Sequence, residues 1–241
     1  MTAVAAPGRP LRLAHRGDWR RAPENSLEAL IAAMAIPGCD GVEFDVRLSR
    51  DGVPVVLHDE TLARVQRRPG HVGSMTAAEL AAAGIPELGI VLRALPPAAF
   101  LDVELKGDDH GEATAAVLRA ARGDAPERAV VSSFEGATLA AIADRLPGWT
   151  RWLNADDLSP DTLSLALGLG CRGVSVLWGA ITAASMRQAT AAGLEIAAWT
   201  VRRRATFERL GRLGVGAVCV EAAALDGGAA GDGRDREARR R

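Results

Sequence analysis

At 241 residues and 25.2 kDa the chain suits one large domain or two small ones, and a 48% hydrophobic composition supplies a substantial core. Its 29 Lys and Arg against 30 Asp and Glu leave a net charge of −1 with the signs mixed throughout, which argues against nucleic acid or an anionic membrane as partner. Cys39, Cys171 and Cys219 lie far apart with no metal-ligand spacing and read as reduced, buried small hydrophobes. The opening MTAVAAPGRP lacks a charged start followed by an apolar core, and no run approaches the ~18 apolar residues of a membrane span. The expectation is a soluble, cytoplasmic protein without stable membrane association.

Residues 1–10 read as a short lead-in. Leu11–Gly17 is the first strand, and a helix is expected over Pro23–Ile36, with Pro near its start, Glu24 and Glu28 in its first turns and Leu27, Leu30, Ile31 and Met34 as its apolar stripe. Gly41–Leu48 alternates strictly: Glu43, Asp45 and Arg47 on one face, Val42, Phe44, Val46 and Leu48 on the other. A turn at Ser49–Gly52 and a short strand over Val53–His58 make a hairpin at the rim. Thr61–Gly89 is the least regular part, although Thr76 followed three residues later by Glu79 predicts a capped short helix. From Phe100–Lys106 onward strands and helices alternate plainly to Ala217–Glu221. The count reaches eight strands, which predicts a single TIM-type (β/α)8 barrel over 11–225 with a short hairpin after its second strand. An open doubly wound sheet is the alternative, but no GxGxxG follows any strand. Residues 226–241, rich in Gly and charge, are expected to form a disordered tail.

Polar residues at the ends of apolar strands mark the mouth of such a barrel. Glu43 and Asp45 stand two apart on one strand, and Glu104 and Lys106 repeat that spacing on the next. Three hard carboxylates with no Cys among them suit Mg²⁺ or Ca²⁺ better than Zn²⁺. The plainer account is a salt-bridged cluster, Glu43–Arg47 or Glu104–Lys106. His15 and His58 each close an apolar run and can supply the base and acid of a displacement. Arg16 can fork onto a phosphate and Lys106 can add a point charge. Glu24 and Asn25, taken separately, read as helix caps, and His71 and His110 as loop residues without a catalytic role.

In order along the chain, HRG, PENS, ExD, HD and ExK resemble the glycerophosphodiester phosphodiesterase family, and IPEL, VSSF and AWTV extend the resemblance over Leu11 to Glu221. The resemblance implies a TIM-barrel hydrolase that cuts a small-molecule glycerophosphodiester to sn-glycerol 3-phosphate and an alcohol with a divalent cation. It implies Glu43, Asp45 and Glu104 as metal ligands, His15 and His58 as the acid–base pair, and Arg16 and Lys106 as phosphate binders. Glu24 becomes a site carboxylate within reach of the metal, and Asn25 a loop support. Trp178 and Trp199 are placed to stack against the leaving group, and Trp19 to close over glycerol, although packing explains a strand-end Trp equally well. The chain departs from the family pattern at Ser26, at Arg202–Arg204 after AWTV, and at Val220–Glu221, which leave the far side of the mouth and the leaving group open. Another phosphodiesterase on the same barrel and a catalytically silent glycerol-phosphate binding module remain alternatives. The oligomeric state is open.

Overall fold

The computed structural model describes residues 9–107 and 110–227. Parallel strands β1 (Leu11–His15) and β2 (Gly41–Leu48) are separated by helix α1 (Leu27–Met34). Strand β3 (Pro54–Val56) folds back antiparallel on β2, with Val46 opposite Val56. After it come α2 (Ala77–Ala81), α3 (Leu88–Ala94), β4 (Phe100–Leu105), α4 (Glu112–Arg122), β5 (Ala129–Ser133), α5 (Gly136–Arg145) and β6 (Thr150–Ala155). The chain continues through α6 (Pro160–Gly168), β7 (Gly173–Leu177), α7 (Ala183–Ala191), β8 (Glu195–Val201), α8 (Arg204–Arg212) and β9 (Ala217–Val220). Strand β1 pairs with both β9 and β2, so eight parallel strands close into a barrel and β3 remains outside as the rim hairpin. Closure removes every sheet edge, which is why the strands tolerate burial on both faces.

The alternation of β2 sorts its side chains as expected. Val42, Phe44 and Val46 are fully buried against the helices, together with Leu101, Val103 and Leu105 of β4. Inside the barrel, Leu13, Phe100, Val130, Trp152, Ala197, Ala217 and Cys219 form an apolar floor. The polar residues above that floor cannot sink further, so the chemistry is confined to the C-terminal end of the strands. Gly41 makes the close β2–β4 approach possible: a Cβ there would stand 1.9 Å from the Phe100 carbonyl oxygen.

Two local expectations change. The first helix starts at Leu27 rather than Pro23, because Ser26 is its cap, accepting from the Ala29 amide at 3.2 Å, and Asn25 is left-handed at φ 60°. Glu24 and Asn25 therefore belong to the loop above the barrel and not to the helix. The segment after β3 has a core of its own, in which Val55, Leu57, Leu62, Val72, Leu80 and Ile85 pack together. Its apolar residues come one or two at a time from β3, short helical turns and the loops between them, so no periodicity announced them. The Thr76–Glu79 capping box forms as expected. Of the anticipated tail, 228–241 lies outside the described residues. Among the described residues no helix is long and apolar enough to cross a membrane.

Candidate active site

The turn after β1 builds one wall. Arg16 and Gly17 both have positive φ, 60° and 83°, and the Arg16 amide donates to the Glu43 carbonyl at 2.8 Å. A Cβ on Gly17 would meet the Ala29 carbonyl carbon at 2.5 Å, so only glycine lets α1 pack beneath this turn. The reversal swings the Arg16 side chain back over β2. There Nη1 donates to Glu24 Oε1 at 2.8 Å and Nε lies 3.1 Å from Asp45 Oδ2. Asn25 closes the other side of Asp45, with Nδ2 donating to Oδ2 at 2.9 Å and Oδ1 accepting from the Asp45 amide at 3.3 Å.

Register brings the carboxylates together. Glu43 pairs with Asp102 and Asp45 with Glu104 across β2 and β4, so four acidic side chains enter the barrel on two adjacent strands. Oxygens of Glu43, Asp45 and Glu104 all lie within 4.8 Å of one another, a set that could hold a metal ion. Glu43 is only 3% exposed, and neither of its oxygens has a hydrogen-bond partner among the described residues. An unpartnered buried carboxylate is costly, and a divalent cation is the kind of group that satisfies it. Lys106 Nζ lies 3.3 Å from Asp45 Oδ1 and also donates to Glu104 Oε1. Of the two plain salt bridges considered from sequence, Glu104–Lys106 forms. Arg47 instead donates to the His58 carbonyl at 2.7 Å and approaches Glu60.

The charges distribute accordingly. Burial, with Asp45 and Glu104 nearby, pushes Glu43 well above the ordinary carboxylate range. Burial and Asp45 likewise push Glu104 up to about 7 against the pull of Lys106. Asp45 is equally buried, yet Arg16, Lys106, His58 and Asn25 outweigh that burial and hold it below its usual value. Without a cation the cluster therefore keeps its charge on Asp45 and its protons on its neighbours.

Both histidines reach the same cavity, of about 200 Å³, which is lined also by Arg16, Glu43, Glu104 and Lys106. His15 Nε2 stands 3.8 Å from Glu43 Oε2, while Nδ1 lies 2.6 Å from Glu221 Oε1. His58 Nδ1 lies 2.8 Å from Asp59 Oδ1. Burial lowers His58 below its ordinary value in spite of Asp45 and Asp59, which keeps a neutral, proton-accepting ring available near neutral pH. Asp102 and Cys219 line it too, and the far side is uncharged: Ser132, Phe134, Asn154, Ser175, Trp199 and Thr200. Trp199 donates from Nε1 to the Ser175 carbonyl at 3.0 Å and meets Phe134 edge-on at 5.8 Å. Trp19 and Trp178 do not line this cavity. Trp178 stands beneath Arg209, 5.8 Å from ring to guanidinium, and Trp19 is 44% exposed. His110 is buried behind the site, bonded to the Lys106 carbonyl and to Thr114.

Sequence reasoning passed over Asp102, Asp59 and Phe134. Asp102 accepts from Ser132 Oγ at 2.6 Å and burial pushes it up to about 7. Its signal was present, since Phe100, Asp102, Glu104 and Lys106 share one parity. Asp59 follows His58 directly and could have been read as its partner. Glu221 drew notice only as a departure, and nothing in the chain links it to His15, 206 residues away.

The family model described as the glycerophosphoryl diester phosphodiesterase family matches residues 15–110. A Mycobacterium tuberculosis protein named Probable glycerophosphodiester phosphodiesterase 2 is 33% identical over 224 residues, covering 80% of each chain. The glycerophosphodiester phosphodiesterase of Caldanaerobacter subterraneus is 27% identical over 88% of this chain and 93% of its own. Among solved structures, an Oleispira antarctica phosphodiesterase in complex with the product sn-glycerol-3-phosphate superposes with a TM-score of 0.79. It is 27% identical, over 88% of this chain and 93% of that one.

Proposed function

As this chain belongs to the glycerophosphoryl diester phosphodiesterase family, we propose that it hydrolyses glycerophosphodiesters to sn-glycerol 3-phosphate and an alcohol. The observation that carries this reading is convergence. Glu43, Asp45 and Glu104 lie within 4.8 Å of one another at one end of the barrel, and His15, His58, Arg16 and Lys106 line the same cavity. Glycerol phosphate as the retained half fits that cavity, which at about 200 Å³ lies below the ~300 Å³ of pockets that enclose drug-sized ligands. The alcohol half then sits at the rim.

Glu43, Asp45 and Glu104 would hold Mg²⁺ or Ca²⁺, which would supply Lewis acidity to the phosphoryl group. Arg16 and Lys106 stabilise the charge that develops on the phosphoryl group, and their own charges are secured by Asp45. Of His15 and His58, one takes a proton from the nucleophile and the other gives one to the departing alkoxide. Water or the glycerol 2-hydroxyl serves as nucleophile. Asn25 holds Asp45 in place, and Glu24 orients Arg16. Trp199 and Phe134 offer an apolar face to the glycerol carbons.

The test is release of sn-glycerol 3-phosphate from glycerophosphocholine and glycerophosphoethanolamine, with EDTA, Mg²⁺ or Ca²⁺, beside a Glu43→Gln control. Cation-dependent release that disappears in the control is expected. No release with either cation would overturn the substrate assignment.

A further inference from the structure

The two histidines are held by the same device, and one copy of it is larger. In both cases Nδ1 meets a carboxylate, and an ionised carboxylate can only accept, so Nδ1 carries the hydrogen and Nε2 is left as the reactive nitrogen. In both cases an arginine grips that carboxylate from behind. Arg202 Nε donates to Glu221 Oε2 at 2.7 Å. Arg64 Nε donates to Asp59 Oδ2 at 2.7 Å, and Nη2 reaches Asp59 Oδ1 at 3.0 Å.

Arg64 does more than Arg202. Its Nη1 donates to Glu24 Oε2 at 2.8 Å and its Nη2 to Glu24 Oε1 at 2.6 Å. Glu24 Oε1 is also the acceptor for Arg16 Nη1. One guanidinium therefore joins two carboxylates, one on the cavity-lining Arg16 and one on the cavity-lining His58. A planar fork with five donors can span both, whereas a lysine ammonium cannot.

We propose that Arg64 is a positioning residue for the reaction, tying Arg16 to His58 through Glu24 and Asp59. The inference rests on the phosphodiesterase reading above. The tie has two consequences. It holds Asp59 against rotation, which keeps His58 in the Nδ1–H tautomer. It also shares the negative charge of Glu24, which leaves more of the Arg16 field for a substrate phosphate. Breaking it should therefore lower kcat and raise KM together. Arg202 is 72% exposed and touches only the Glu221–His15 arm, so its loss should leave KM unchanged and lower kcat less.

The experiment compares wild type with Arg64→Ala, Arg64→Lys and Arg202→Ala. Long-range ¹H–¹⁵N NMR reads the histidine tautomers, and glycerophosphocholine turnover gives kcat and KM. For Arg64→Ala we expect a mixed tautomer at His58 and a fall in kcat of roughly 10–100-fold, the range for removing a partner behind a site ligand. Arg64→Lys should fall between wild type and Arg64→Ala, and it decides the matter if Arg64→Ala does not fold. An Arg64→Lys or Arg64→Ala protein that keeps the His58 Nδ1–H tautomer with kcat and KM within about twofold of wild type would overturn the tie. A wild type that turns over no glycerophosphodiester would instead overturn the functional reading, while the tautomer spectra would still decide the tie.

Discussion

The two halves of the barrel mouth follow one geometric rule and hold opposite chemistry. On β1, β2, β4 and β9 and just after them, the residues that face the cavity or flank it are His15, Arg16, Glu43, Asp45, Asp102, Glu104, Lys106 and Glu221, alongside Cys219. On β5 to β8 and the loop after β5 they are Ser132, Phe134, Asn154, Ser175, Trp199 and Thr200, none of them charged. Every strand presents alternate residues inward, so the difference is one of sequence and not of backbone. The difference is a division of labour: the charged groups, with those proposed for proton transfer and cation binding, gather in one arc, and uncharged and apolar contact surface in the other. Clustering the charges is physically sensible, because Arg16 and Lys106 then serve Asp45 and Glu104 together, and one cation would satisfy Glu43 with them.

The comparison can be broken most sharply in the charged arc. Glu43→Gln removes one of the three clustered carboxylates, and activity should fall by at least about 10³-fold, the upper end for losing one preorganised electrostatic contact. His58→Ala should lower kcat by roughly 10²–10⁴-fold, the usual range for general acid–base groups. Steady-state kinetics at saturating Mg²⁺ or Ca²⁺ checks both, and near-wild-type turnover in either variant would remove that residue from its role.

A second test reads the charged arc through stability. Glu43 is raised well above its usual value, and Asp102 and Glu104 are raised to about 7, all chiefly by burial. Their folded forms therefore bind more protons than the unfolded chain between about pH 4.5, the ordinary carboxylate value, and 7. These three carboxylates should make the cation-free protein less stable as pH rises through that window, outnumbering His58 and His110, which burial lowers and which act in the opposite direction. Adding Mg²⁺ or Ca²⁺ should restore it most at the upper end, where protons no longer compete. Thermal melts in EDTA and with each cation, from pH 5 to 8, would measure this. A Tm that rises with pH in EDTA and ignores both cations would contradict it.

The uncharged arc should respond differently. Trp199→Ala removes contact area without removing a titratable or charged group, so KM should rise while kcat stays within a few-fold, about 1–2 kcal/mol of lost binding. A kcat loss as large as that of His58→Ala would collapse the distinction between the arcs. The smallest effect is expected far from both. Thr76→Ala removes the capping box of α2 and should cost about 1 kcal/mol, seen as a Tm lower by about 2–4 °C with unchanged kinetics.

Much of this was readable along the chain. Alternation in Gly41–Leu48 named Glu43 and Asp45 as inward before any strand was paired, and the spacing in Phe100–Lys106 did the same for Glu104. The helices α4 to α8 fall in the stretch where strands and helices were expected to alternate. Where the reading slipped, the cause is local. Pro23 and Glu24 look like a helix start, but the left-handed Asn25 keeps them in the site loop, and a positive φ at a non-glycine residue leaves no composition signal. The segment 61–89 seemed irregular because its core is assembled from single residues of short elements and loops, too few in each to show a period.

By itself, the sequence determined the period of each element, the parity of every strand residue and hence the set of polar groups that could meet at the barrel mouth. Those follow from backbone geometry and nearest-neighbour chemistry, which are local. Only the tertiary structure decided that Glu221 stands behind His15 and that the His58–Asp59 pair is joined to Arg16. His15 meets Glu221 because β1 and β9 close the barrel, and His58 is tied to Arg16 because Arg64, bound to the nearby Asp59, also reaches Glu24, 40 positions away. Hydrogen bonds between residues tens or hundreds of positions apart depend on closure and register, and no local pattern encodes them.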